Sequence, residues 1–413
     1  MNIRFMTTFL GLLVVIATDH VLAQGSTSSS PGNGKVRARP APVPVPVPVP
    51  KSGVVSSFVV QSKTTHPGEG IDFVHAKGME LPALAPRSEL QAHYDLMDAL
   101  QGRPQRLYPG AFSPGAHGHG RMTPVNLGVP VISASDGDEI SSQDYGTTNH
   151  PFATARADLD GTVTSNVYPY RAAGKLFFNI GNGSYICSAS LIKRGVAVTA
   201  AHCVAEFGKN QLHSNWTFVP AYSNGVAPYG VWSAQSVYLL TSYLDGSDPC
   251  STPGVSCQDD VALILLNPDA AGNYPGSATG WYGYGYDGYG FSGSGLTQIT
   301  QIGYPACLDS GALMERNDSY GYVSATQVNN TLIGSLMCGG SSGGPWLVNF
   351  GVAPALSGTT PGAAANSNVV VGVSSWGYTT NTLPKEMGSS PFTSGNIVTL
   401  VNAVCGAAPA ACN

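Results

Sequence analysis

The 413-residue chain is short of charge: 10% of its residues are Asp, Glu, Lys or Arg, and the formal net charge is −5. That balance offers no basic patch for nucleic acid and no cationic face for an anionic membrane. Cysteine is missing before Cys187, and all eight cysteines lie between Cys187 and Cys412. A disulfide-bearing body therefore begins near there, and the cysteine usage points to an oxidising compartment. Long apolar runs are also missing. The best, Phe9–Ala17, is too short to span a bilayer and is soon followed by Asp19-His20. Histidine runs out early, since none of the nine follows His213. What is abundant is glycine, with 51 residues, together with Ser and Tyr. That composition reads as a turn-rich, all-β secreted protein.

The chain divides by composition. Residues 1–23 read as a signal peptide, with Arg4 as a basic start, the Phe9–Ala17 run, and Val21-Leu22-Ala23 as a small-residue cleavage site. Residues 24–51 are low-complexity and end in a Val-Pro repeat. Alternating proline removes N–H donors and favours extended polyproline II, so this is a spacer. Residues 52–155 have no cysteine and no clear series of strands. They read as a pro-region that aids folding or blocks the site, the alternative being a separate module. Ser88–Gln101 is expected to be helical, with Ser88 as cap, Leu90, Tyr94, Met97 and Leu100 on one face, and Gly102 as stop. His117-Gly118-His119 supplies too few ligands for a metal and reads as a structural loop. Residues 156–413 form the main domain, where short apolar strands alternate with turns. Leu176–Ile180, Ala189–Ile192 and Val196–Thr199 are expected to follow one another in a barrel.

Three blocks carry chemistry. Cys338-Gly339-Gly340-Ser341-Ser342-Gly343-Gly344-Pro345-Trp346 places a serine among glycines. A tight turn there exposes the hydroxyl and lets the N–H groups of Gly340 and Ser342 converge on one point. Thr199-Ala200-Ala201-His202-Cys203 supplies an imidazole, whose pKa suits it to take a proton from serine at neutral pH. Asp259-Asp260-Val261-Ala262-Leu263-Ile264 leads a carboxylate into an apolar strand, where it can hold the imidazole tautomer. Strand alternation points Asp260 and Asp259 in opposite directions, and Asp260, next to the apolar run, is the preferred partner. The Gly340–Gly344 run also fits a G-x-S-x-G nucleophile elbow, whose histidine comes after the serine in the chain. With no histidine after His213, an esterase or lipase of that kind is disfavoured.

With the order His202, Asp260, Ser342, the chain resembles the chymotrypsin/trypsin-like serine peptidase family, over roughly residues 165 to 400. Ile302-Gly303-Tyr304-Pro305 is similar to a stretch of bacterial secreted, glutamyl-endopeptidase-like branches. The resemblance implies two six-stranded antiparallel β-barrels with the active site between them. It also implies a His202–Asp260–Ser342 triad and an oxyanion hole made by Gly340 and Ser342. Thr279-Gly280-Trp281 resembles the family's lead-in to the second barrel. Ser375, Trp376 and Gly377 resemble the strand that binds substrate backbone. Leu336, six residues before Ser342, resembles the residue at the base of the specificity pocket. Cys187–Cys203 resembles the disulfide beside the catalytic histidine. Eight cysteines allow on the order of 100 connectivities. Cys250–Cys257 and Cys405–Cys412 are plausible short loops, which leaves Cys307 with Cys338.

The chain also departs from the family at three positions. Ser341 stands where animal enzymes carry the aspartate that pairs with a new N-terminus, so that route of activation is not expected. Leu336 replaces the trypsin aspartate, and Ser374-Ser375 replaces the histidine of glutamyl-specific relatives, so a neutral or apolar pocket is expected. Tyr282–Phe291 reads as a turn-rich hairpin packed on the barrel, and His213 as an ordinary turn histidine. The sequons at Asn182, Asn215, Asn317 and Asn329 matter only in a host that glycosylates. The expectation is a secreted, monomeric serine endopeptidase made as a precursor. It would act on protein or peptide and need no cofactor, metal, nucleic acid or membrane. The alternative is a non-catalytic binding or adhesion protein on the same fold.

Overall fold

The computed structural model describes residues 54–60, 66–84, 110–129, 151–158, 163–292, 295–324, 327, 330–353, 364–378 and 385–413, and the backbone of 144–145. The signal peptide, the spacer, the Ser88–Gln101 helix and Asn329 lie outside the described residues.

Twelve strands make two closed barrels. The first consists of β1 (Ala173–Ile180), β2 (Gly183–Lys193), β3 (Val196–Thr199), β4 (Ser214–Pro220), β5 (Trp232–Leu240) and β6 (Ala262–Leu266). Around it the order is β1-β2-β3-β6-β5-β4 and back to β1, every pair antiparallel. The second consists of β7 (Leu296–Gly303), β8 (Glu315–Val323), β9 (Thr331–Gly334), β10 (Pro345–Val348), β11 (Val369–Tyr378) and β12 (Glu386–Pro391). Its order is β7-β8-β9-β12-β11-β10, again closed and antiparallel. Renumbered from one, the two circuits are identical. Closure leaves no free sheet edge within either barrel.

Burial explains the sequence pattern. Ala262–Leu266 is apolar without alternation because both of its faces are covered. One faces the barrel core with Leu176, Leu191, Val198 and Phe218, and the other meets the C-terminal helix Thr399–Ala407 through Leu400, Val401 and Val404. That helix comes after a capping box, in which Thr393 Oγ1 accepts from Asn396 N–H and Asn396 Oδ1 accepts from Thr393 N–H. The four disulfides join Cys187 to Cys203, Cys250 to Cys257, Cys307 to Cys338 and Cys405 to Cys412. Asn317 is fully buried with both amide atoms bonded, which removes it as a glycosylation acceptor.

Segments before residue 156 add strands to both barrels. Val55–Val59 pairs with β5, Lys77–Gly78 with β2, Ala83–Leu84 with β11, and Pro151–Arg156 with β8. Ala111–Ser113 pairs with Gly283–Tyr286, which itself joins β11. Between Val55–Val59 and Pro151–Arg156 the pairings are only two or three residues long and leave no periodic signal, which is why no strand series is legible there. Tyr282–Phe291 is one strand and a turn bridging neighbours, with Tyr282, Tyr284 and Tyr289 buried. The His117–His119 loop is structural: His119 N–H donates to Ser277 O, and the His117 ring lies against Tyr168 at 4.3 Å.

Trp376 is fully buried, and its indole N–H donates to Asn330 Oδ1 at 2.6 Å. The ring lies against Gly388 on the paired strand, where any Cβ would overlap it. Gly388→Ala is expected to destabilise the domain by about 1–3 kcal/mol through overpacking, read by denaturant unfolding.

Candidate active site

Each of the three chemical blocks sits at the end of a strand. β3 ends at Thr199 and the chain turns into a single 3₁₀ turn, Ala201–Cys203, which carries His202. Asp260 precedes β6, the neighbour of β3 in the barrel. Adjacency in that sheet brings acid and imidazole together. His202 main-chain N–H donates to Asp260 Oδ1 at 2.8 Å, and His202 Nδ1 donates to Oδ2 at 2.8 Å. A third donor comes from the other barrel: Ser375 Oγ, on β11, bonds the same Oδ2 at 2.6 Å. Asp260 is 1% exposed, so its carboxyl oxygens are satisfied by hydrogen bonds rather than by water.

Ser342 lies in the turn between β9 and β10, closed by Ser341 N–H and Ser341 Oγ on Cys338 O and by Gly344 N–H on Ser341 O. Gly340 and Gly343 have φ of +96° and +76°, which a side chain would strain. The turn is pinned to both barrels. Ser188 N–H donates to Ser342 O at 2.7 Å, and Gly343 N–H donates to Ser374 O at 2.8 Å. A Cβ at Gly343 would fall on Thr199 Oγ1 and come within 2.8 Å of Ala200 N, so the serine turn lies directly against the histidine turn. Ser342 Oγ and His202 Nε2 are both buried and have no hydrogen-bond partner among the described residues. Orphaned buried polar atoms cost about 1–3 kcal/mol each and persist where function needs them.

The trypsin family model matches residues 162–390, more than half of the chain. The chain belongs to the trypsin family. No curated protein sequence matches it. Among solved structures it is similar to the thermostable serine protease AL20 from an extremophilic microorganism, at 24% identity over 56% of this chain and 96% of that one, TM-score 0.44. It is also similar to protease Anisep from Arthrobacter nicotinovorans, at 26% identity over 57% and 96%, TM-score 0.45. A Glu endopeptidase in complex with MPD is similar at 19% identity over 63% and 97%, TM-score 0.43.

Within this trypsin-family framework, Ser341 anchors its loop without charge, its Oγ donating to Cys338 O at 2.7 Å. Gly340 N–H is already used, donating to Met79 O at 2.9 Å. Leu336 lines a cavity of about 720 Å³ with Met337, Gly377, Lys385, Glu386 and Met387. The wall is thus mixed, with apolar and charged side chains. Gly377 belongs to it. Ser375 is instead engaged with Asp260, and the Trp376 ring is in the core of the second barrel.

Two features are not legible in the sequence. His213 donates from Nε2 to the His202 carbonyl at 3.1 Å and stacks on Phe178 at 5.3 Å. Burial holds its pKa below the usual value, keeping it neutral. It therefore props the turn that carries His202. Asp259 points away from the imidazole, on a turn just before β6 in which Val261 N–H donates to Asp259 O at 2.7 Å. Its Oδ1 accepts from Asn396 Nδ2, while its N–H donates to Asp248 Oδ2 at 2.9 Å. Burial, and then the Asp259 charge, push Asp248 up to about 8. Two clusters of potential metal ligands occur among the described residues, Cys187-His202-Cys203 and Asp248-Cys250-Cys257. In both, the sulfurs are bonded to each other in disulfides and are not available as thiolates.

Replacing His213 by Leu is expected to lower kcat/KM about fivefold, the equivalent of about 1 kcal/mol for one hydrogen bond, and to shift the acid limb of the pH–rate profile, with Gln partly rescuing both. Asp248 has a raised folded pKa, so between 3.8 and about 8 the folded state keeps a proton that the unfolded chain releases. Stability should therefore fall as pH rises through that window. Asp248→Asn is expected to flatten the fall, seen in melting temperatures compared at pH 5 and pH 8.

Proposed function

We propose that the protein is a secreted serine endopeptidase made as a precursor, with Ser342 as nucleophile, His202 as general base and Asp260 as its orienting acid. The observation that carries this reading is the buried Asp260 carboxylate bonded to His202 Nδ1, with His202 Nε2 and Ser342 Oγ, on turns that lie against each other, both without a partner among the described residues. Ser342 Oγ attacks a peptide carbonyl while His202 Nε2 takes its proton. Asp260 stabilises the imidazolium without becoming protonated. The oxyanion is received by the N–H groups of Gly340 and Ser342. Collapse of the tetrahedral intermediate passes the proton from His202 to the leaving amine and leaves an acyl-enzyme, which water hydrolyses by the same route in reverse.

In this reading residues 1–23 are the signal peptide, 24–51 the spacer, 52–155 the pro-region and 156–413 the peptidase domain. The four disulfides fit export, and no described helix is long and apolar enough to cross a membrane. The cavity wall sets Leu336, Met337 and Met387 beside Lys385 and Glu386, so it offers both apolar and charged contacts to the side chain before the scissile bond.

Processed enzyme is expected to be labelled by a fluorophosphonate probe, and Ser342→Ala to abolish labelling and lower turnover by about 10⁴-fold or more. A folded, processed protein that takes no label would support the non-catalytic alternative instead.

A further inference from the structure

We infer that residues 77–84 are a built-in inhibitor of the cleft, a reading that rests on the peptidase function proposed above. The segment crosses from one barrel to the other. Lys77–Gly78 pairs in parallel with Tyr185 and Ile186 of β2, and Met79 N–H donates to Ile186 O at 2.8 Å. Met79 O then accepts the Gly340 N–H at 2.9 Å, the donor assigned to the oxyanion hole. Farther on, Pro82 O accepts the Gly377 N–H at 3.0 Å, and Ala83–Leu84 pairs in parallel with Gly377 and Tyr378 of β11. The segment thus takes up both the oxyanion donor and the donor on the substrate-binding strand.

The side chains fill the same space. Glu80 and Leu81 line the cavity beside Leu336, while Met79 lines a second hollow of about 450 Å³ next to His202 and His213. Contact is close enough to need glycine on both sides. A Cβ on Gly78 would come within 2.7 Å of Ala306 Cβ and 2.9 Å of Gly339 O, and one on Gly339 would come within 2.6 Å of Met79 O.

Polarity explains why the segment blocks the cleft without being a substrate. In the proposed mechanism the residue before the scissile bond fills the cavity beside Leu336, so the N-terminal half of a substrate lies along β11. Here the C-terminal half, Pro82–Leu84, lies along β11, and the N-terminal half, Lys77–Gly78, lies on β2. The chain runs in reverse. Glu80, whose nitrogen would be the leaving group after Met79, is on the cavity side rather than the His202 side. His202 therefore has no leaving amine to protonate.

The test uses secreted full chain, shown to be intact by mass, with initial rates of fluorophosphonate labelling as the readout. Intact wild type is expected to label slowly, and intact Gly78→Ile about tenfold faster or more, because the reactive cleft is no longer occupied in most molecules. Met79→Pro, which deletes the N–H bonded to Ile186 without adding bulk at Gly339, is expected to show the same release if Gly78→Ile does not fold. A peptide of residues 75–84 added to a released variant is expected to slow labelling again and to be recovered uncut. Intact wild type labelling as fast as the variants would overturn the inhibitor and leave the peptidase intact. Failure of every chain to label, before and after processing, would overturn the peptidase reading and the inhibitor with it.

Discussion

The arrangement depends on one buried carboxylate. Asp260 accepts three hydrogen bonds, two from His202 on its own barrel and one from Ser375 on the other. An ionised carboxylate at 1% exposure would be prohibitively costly without such donors. Satisfying it does two further things. It fixes the imidazole tautomer, and it ties β11 to the start of β6 across the junction of the barrels. The neighbouring residues continue the tie, since Ser374 accepts from Gly343 in the serine turn and Asp259 reaches Asn396 near the C-terminal helix. One Asp-Asp pair, on the turn that leads into β6, thereby couples the site to the fold.

Apart from Asp260, the turns that carry His202 and Ser342 are held by neutral groups. Ser341 anchors its turn by a hydroxyl, Ser188 bonds both Gly340 O and Ser342 O, and His213 holds the histidine turn as an uncharged ring. This fits a chain with 10% charged residues. Neutral hydrogen bonds between backbone and hydroxyls position the turns without adding fields that would perturb the imidazole. The two positive-φ glycines in the serine turn let it lie against β2 and β3 with no side chain between.

Much of this was legible in the chain itself. The Gly-rich serine block, the histidine block and the acid before an apolar run each carry a local reason for their residue types. The order of the three excluded the nucleophile elbow. Asp260 and Asp259 do face different partners, but through a turn closed by Val261 N–H on Asp259 O rather than through strand alternation. What was not legible lies in contacts between distant segments. Trp376 sits beside Gly377 of the cavity wall in sequence, yet its ring goes to the second-barrel core, because Gly388 and Asn330 make room and an acceptor for it there. His213 looks like any turn histidine until its partner, the His202 carbonyl eleven residues earlier, is known. The two-residue pairings of Lys77–Gly78 and Ala83–Leu84 carry no period to detect.

The amino-acid sequence by itself determined the fold class and the candidate chemical cast, since strand alternation, turn glycines and the three candidate side chains are local properties. Only the tertiary structure decided which groups are engaged and which are left open. Among the described residues, Asp260 is spoken for three times, Ser342 Oγ and His202 Nε2 not at all, and Gly340 N–H by a carbonyl from Met79. The physical reason is that hydrogen bonds are made between groups that meet in space. Which groups meet is set by barrel closure and by strand pairings between residues far apart in the chain.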